Sequence, residues 1–193
     1  MADFSDWAID GFQSRTLHFV PAPNSPQGVA LNTILTALEV PDIPFSILAV
    51  LLPPGVQSRA HSHPGSTIVV CAFMGNAVTL VGDDMRAKPH RNDELVIVPA
   101  GVPHASVNLS LTEPVLGIEL RTDPLGNADV LMLPELDELA GEVARRLREE
   151  FSTGPGPVLA HGLGLGQRVA LPQQTSSPGT ISMDDGASAT LVG

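Results

Sequence analysis

The sequence predicts an all-β domain, a barrel or sandwich, followed by one amphipathic helix. Three observations carry this. Between Thr16 and Arg121 short apolar runs rich in β-branched residues recur at close spacing, broken by Gly and Pro. The stretch Leu136–Leu147 instead repeats its apolar residues at three, four and four positions, one helical stripe. Finally, 193 residues favour one domain with extensions over two full domains, and a unit of this size buries roughly two-thirds of its unfolded surface.

Taken in order, residues 1–15 form a polar N-terminal arm in which Trp7 and Phe12 are the candidate docking side chains. The β domain is expected over residues 16–133. Its candidate strands are Thr16–Val20, Val29–Leu38, Phe45–Leu52, Thr67–Met74, Ala77–Val81, Glu94–Val98, His104–Leu109 and Pro114–Arg121. Val29–Leu38 fits a strand or a helix on pattern alone. A C-terminal helix is expected over 134–152. Pro134 suits its first turn, acidic Glu135, Asp137 and Glu138 lie early, and Arg145, Arg146 and Arg148 lie late, as the helix dipole favours. Residues 153–193, rich in Gly, Pro, Ser and Thr and nearly without charge, read as a low-complexity tail. The glycines at 162, 164 and 166 match no dinucleotide fingerprint.

Charge and composition exclude several functions. A net charge of −11 with only 10 Lys and Arg opposes binding to nucleic acid and to anionic membranes. No apolar run reaches the ~18 residues of a membrane span. The acidic start lacks the basic region of a signal peptide. Cys71 is the single cysteine, so no internal disulfide forms. A cytoplasmic protein is the expectation.

Two segments carry chemistry. The first is Gly55-Val-Gln57-Ser-Arg59-Ala-His61-Ser-His63-Pro-Gly, the second Pro99-Ala-Gly101-Val-Pro-His104-Ala-Ser-Val-Asn108. His61 and His63, at i and i+2, share one face of a strand. His104 follows a Pro-x-Gly turn able to deliver it from a neighbouring strand. If 57–63 is a regular strand, Gln57 and Arg59 share the face of His61 and His63. Four buried polar side chains in a row are costly unless they bind something. A metal ion held by imidazoles meets that need, and neutral imidazole suits Zn, Fe, Ni and Cu.

These residues resemble the two motifs of the cupin superfamily, closely over about residues 45–121. In the first motif Gly55, His61, His63 and Gly75 fall into place; in the second, Pro99, Gly101, His104 and Asn108 do, with the opening Gly replaced by Asn92 or Asp93. The resemblance implies a cupin-type double-stranded β-helix (jelly-roll barrel) with the C-terminal helix and tail attached. It implies one divalent transition metal, Fe(II), Zn, Mn, Ni or Cu, on His61, His63 and His104. It also implies a homodimer, since cupin domains commonly pair through their sheets.

The chain departs from the family at the motif's glutamate, which should fall at Thr67 or Ile68. A three-histidine centre remains. Such a centre, more cationic than one with a carboxylate ligand, favours an anionic substrate. Arg59 is the candidate clamp for it, through bidentate hydrogen bonds, or else turns to the barrel mouth and pairs with an acidic side chain; Gln57 is a second catalytic candidate. With Thr67 in the glutamate slot, Cys71 lines the pocket. The functional expectation is a small-molecule enzyme, dioxygenase-like oxidoreductase first. A non-redox isomerase or cyclase, and a non-catalytic ligand-binding cupin, are the alternatives. The absence of Tyr opposes the related epimerases, which use a tyrosine acid. Asn108 is read as a brace of the fold or of a ligand histidine, and His90 as a solvated loop residue; Glu119 is a candidate pocket acid or base, with a surface or interface carboxylate as the favoured reading. His18 and His161 have no motif context.

Overall fold

The computed structural model describes residue 19 and residues 22–91 and 94–153. The arm with Trp7 and Phe12, the first candidate strand apart from Phe19, His18, Asn92, Asp93 and the tail with His161 lie outside the described residues. The strands are β1 (Ala30–Leu35), β2 (Ser46–Leu52), β3 (His61–Ser62), β4 (Ile68–Met74), β5 (Ala77–Val81), β6 (Arg86–Pro89), β7 (Val96–Val98), β8 (His104–Asn108), β9 (Val115–Arg121) and β10 (Leu131–Met132). A 3-10 turn at Pro134–Leu136 leads into helix α1 (Asp137–Thr153). Of Val29–Leu38, Ala30–Leu35 is strand, paired with β2, and Ala37–Glu39 is a turn.

The strands form two five-stranded sheets, β1-β2-β9-β4-β7 and β10-β3-β8-β5-β6, and every pairing is antiparallel. This is an open sandwich and not the closed barrel expected from sequence. The core lies between the inner faces, with Val29, Leu31, Leu48, Val50, Leu52, Ala72, Ala77 and Val115 in contact. The outer face of the second sheet is covered by α1. Ala140 and Ala144 are fully buried there against Ala60, Ala105 and Val107. Small residues on the helix and the strands let the two backbones approach closely.

The outer face of the first sheet has no such cover among the described elements. Leu116, Ile118 and Leu120 of β9 point out of the sandwich, and Leu95 and Ile97 at the β7 edge are each 62% exposed. Gly75 turns β4 into β5 at φ +87°; a Cβ there would collide with the Pro114 carbonyl and with Val115.

Candidate metal centre

The first motif does not form one regular strand. Gln57 makes an isolated bridge to Val107, and the ladder resumes only at His61. Between them the backbone is diverted: Arg59 N–H donates to the Gln27 carbonyl, and Ala60 N–H to the Asp137 carboxylate at the start of α1. The strict alternation therefore breaks. Ala60 turns under the helix, and the Arg59 side chain, 52% exposed, pairs with Asp137 at 3.2 Å. Gln57 lies beside Gly141 of the helix. Neither side chain joins the histidines, contrary to the expectation that Gln57 and Arg59 share their face; of the two readings of Arg59, the structure has the pair with an acidic side chain.

His61, His63 and His104 do come together, all buried. His61 pairs directly with His104 across β3 and β8. The Gly101 N–H donates to the His63 carbonyl at 2.9 Å, fastening the second motif's turn to the first motif. Gly101 sits at φ +76°, where a side chain would be strained. Ring centroids are 4.2 Å apart for His61 and His104, 5.2 Å for His61 and His63, and 5.6 Å for His63 and His104. One nitrogen from each ring lies within 4.8 Å of the others.

The hydrogen bonds decide which nitrogen is offered. Nδ1 of His61 meets the Arg59 carbonyl at 2.8 Å, Nδ1 of His104 the Val102 carbonyl at 2.9 Å, and Nδ1 of His63 the Asp129 carboxylate at 2.8 Å. Carbonyls and carboxylates only accept, so each Nδ1 carries the proton and each Nε2 keeps its lone pair. Burial holds His61 well below the ordinary imidazole range, and the neighbouring His104 adds to this. Burial pushes His104 down to about 4. Burial, then the Arg121 guanidinium, lowers His63. All three are neutral at pH 7. Three neutral imidazoles with anchored Nδ1 atoms and unprotonated Nε2 atoms are a donor set that fits a transition metal.

Beside them stand residues that the motifs did not reveal. Arg121, 1% exposed, donates from Nε (3.0 Å) and Nη2 to Glu119, from Nη1 to Asn127 Oδ1, and from Nη1 to His63 Nε2 at 3.3 Å. Asn127 is held in turn by Gln27. Burial raises the Glu119 pKa, but the charge and hydrogen bonds of Arg121 outweigh it and hold the carboxyl below its ordinary value. Asp129 also accepts from Ser66 Oγ at 2.7 Å and Gly65 N–H. Burial opposes its ionisation, but the His63 and Ser66 hydrogen bonds prevail and lower its pKa.

Several other expectations are corrected by the sheet geometry. Ile68 lies directly across from Arg121, and Val70 across from Glu119, so even-numbered β4 residues face inward. Ile68 thus stands in the glutamate slot and Cys71 faces outward. Glu119 is an interior residue, 7% exposed. His90 is buried too, with Nε2 at 2.8 Å from Thr79 Oγ1 and Nδ1 without a partner among the described residues. It borders an internal cavity of about 20 Å³ that also touches Ser106 and Glu119, a volume for one water molecule and not for a substrate. Asn108, fully buried, donates to the carbonyls of Leu52, Pro53 and Glu113 and accepts from Ser110 N–H, bracing three chain segments.

No protein-family model matches the sequence, and no curated protein matches it. The fold is matched by solved structures. A cupin-like protein from Thermotoga maritima is 20% identical, with a TM-score of 0.50 over 66% of this chain and 95% of that one. Recombinant oxalate oxidase in complex with glycolate is 19% identical, with a TM-score of 0.53 over 78% of this chain and 86% of that one. A second oxalate oxidase structure with glycolate gives a TM-score of 0.51 at 19% identity, over 79% and 87% of the two chains. An oxalate decarboxylase also matches, at a TM-score of 0.48, and this chain spans 30% of its length. Two packed antiparallel sheets, a convergent histidine cluster on their inner faces and the likeness to the Thermotoga cupin-like protein and the oxalate oxidase structures together give the chain the cupin-type double-stranded β-helix fold.

Proposed function

We propose that this chain is a metal-dependent, small-molecule enzyme of the cupin type, with His61, His63 and His104 as ligands of one divalent transition metal. The observation that carries the reading is the shared protonation pattern: three buried imidazoles, each tied through Nδ1 to an oxygen, each keeping its Nε2 lone pair. Hydrogen bonds of this kind fix ring orientation before an ion arrives. When bound, an ion with an open position would supply Lewis acidity or redox chemistry.

The chain's own groups divide the remaining tasks. His61, His63 and His104 hold the ion, Asp129 orients His63, and Arg121 places a positive charge beside the cluster. The low exposure of the three rings, 5%, 1% and 5%, supports a small substrate. The buried guanidinium supports an anionic one. Oxalate oxidase, with its bound glycolate, is a solved cupin of similar fold, and an oxidoreductase acting on a small carboxylate is the favoured activity. The outward Leu116, Ile118 and Leu120 support pairing of two copies through the first sheet.

A non-catalytic, ligand-binding role is the second reading. It is favoured by the state of the two nearby carboxylates: Glu119 is committed to Arg121 and Asp129 to His63, so neither stands free as a general base.

Elemental analysis of protein purified without added metal tests the centre. About one ion per chain is expected, and its loss in His104→Ala. Iron together with substrate-dependent O2 uptake supports the oxidoreductase. Zinc without O2 uptake supports an isomerase or cyclase. Metal at background level in the wild type removes the proposal.

A further inference from the structure

The guanidinium of Arg121 occupies an unusual position: it is a buried cation in contact with a candidate metal ligand. A guanidinium has five N–H donors. In Arg121 the Nε–H and one Nη2–H go to Glu119, and the two Nη1–H go to Asn127 and to His63 Nε2. The second Nη2–H has no acceptor among the described residues. The lone pair of His63 Nε2 can serve only one partner, Arg121 Nη1 or an ion. With that lone pair given to an ion, Arg121 holds two uncommitted N–H groups on adjacent nitrogens. Two such donors are what one carboxylate accepts in a bidentate pair.

Charge points the same way. Glu119 balances Arg121, and Asp129 supplies one further negative charge through His63. A divalent ion on three neutral imidazoles would leave a net excess of one positive charge in a buried site, where uncompensated charge is costly. A monoanion removes that excess. None of the side chains bonded to Arg121 can do so: Asn127 and His63 are neutral and Glu119 is already paired. In the slot where the family pattern has a metal-binding carboxylate, this chain has Ile68, and its cross-strand neighbour is Arg121. The negative charge that a protein ligand would have supplied is absent, and a cation stands in reach instead.

We infer that Arg121 is the anion-binding, specificity-determining residue of this site, released from His63 when the metal position is filled and then receiving the carboxylate of a small monoanionic ligand. The inference rests on the metal-centre reading above. Glu119 and Asn127 are positioning residues in it, since they hold the guanidinium in the plane from which it would reach the ligand.

Cobalt(II) uptake and glycolate binding by calorimetry test the inference on the full chain, without reference to turnover. Arg121→Gln leaves Glu119 unpaired, so the charge-neutral Glu119→Gln/Arg121→Gln double variant accompanies it, with Arg121→Lys as the conservative control. Arg121→Gln and the double variant should take up cobalt at wild-type stoichiometry, and Arg121→Gln at least as tightly as wild type, because a competing donor and a nearby cation are gone. Glycolate affinity for the cobalt-loaded protein should fall about 10- to 100-fold in both Gln variants and by less in Arg121→Lys. The neutral analogue glycolamide should bind wild type more weakly than glycolate. Unchanged glycolate affinity in the cobalt-loaded double variant overturns the inference and leaves the metal centre intact. So does a cobalt-loaded wild type that does not bind glycolate. Cobalt retained by wild type but lost from both Gln variants also overturns it, making Arg121 a structural support of the histidines. No cobalt in wild type overturns the metal centre itself, and the inference with it.

Discussion

Asp129 shows how one partly exposed carboxylate organises a buried site. It accepts from His63 Nδ1, Ser66 Oγ and Gly65 N–H, so it fixes both a ring and the turn that follows it. Asp129→Ala is expected to weaken metal affinity about 10- to 100-fold while the protein stays folded, measured by competition with a chromogenic chelator. An unchanged affinity would show that His63 is oriented by packing alone. His90 makes a different residue-scale prediction. Burial depresses its pKa to about 4, against an ordinary value of 6.5. Between those two values the unfolded chain binds a proton that the folded one refuses, so His90 contributes a loss of stability as pH falls from 6.5 towards 4. The loss reaches about 3 kcal/mol at most. His90→Gln keeps a partner for Thr79 and cannot protonate, so urea titrations should show a shallower fall in stability over that window. The triad and Asn108 were legible because their signals are local, an i, i+2 pair and a Pro-x-Gly turn. Arg121, Asp129 and His90 were not, because their roles arise from pairing with residues distant in sequence.

At the scale of elements, β9 explains the largest misreading. Its outward row, Leu116, Ile118 and Leu120, is more apolar than its inward row, Val115, Gly117, Glu119 and Arg121. Period-two reasoning assigns the oilier row to the core, and here that rule points the wrong way. The inward ion pair survives burial because each charge has the other, and Asn127 and His63 take the two Nη1 donors. Arg59 was misplaced for a related reason. Alternation was extended backwards from His61 across a stretch where the backbone leaves the ladder to bind Gln27 and Asp137. His90 was placed in a loop, yet it directly follows β6, whose Pro89 closes the strand at an edge, where no donor is missed. The interface between α1 and the second sheet is tight, with Ala144 and Ala140 fully buried. Ala144→Leu should therefore overpack it and cost about 1–3 kcal/mol in chemical denaturation. A neutral result would mean that the helix can move outward without loss.

Over the whole molecule, the two sheets are treated unequally. Among the described residues, one outer face is covered by α1, while the other leaves apolar side chains on its central strand and on its β7 edge. If two copies pair there, Leu120→Glu should convert a dimer to a monomer in sedimentation equilibrium and leave metal content unchanged. A dimer that persists in this variant removes the face from consideration. The fold class was readable as a whole because strand spacing and turn residues repeat along the chain. Sheet closure was not, because whether a sandwich remains open depends on which edges pair, and composition does not encode that.

The bond from Gly101 N–H to the His63 carbonyl has a further consequence for how the protein is made. It joins segments far apart in sequence, as does the pairing of His61 with His104. On the ribosome, the histidines of the first segment emerge while the second is still being synthesised. A partial chain thus offers a His-x-His pair but not the full cluster. The third imidazole is added only after β4 to β7 have emerged, and Arg121 later still, when β9 slots between β2 and β4. If the cluster holds an ion, its full ligand set cannot form before His104 has emerged, and the neighbouring cation joins it only with β9.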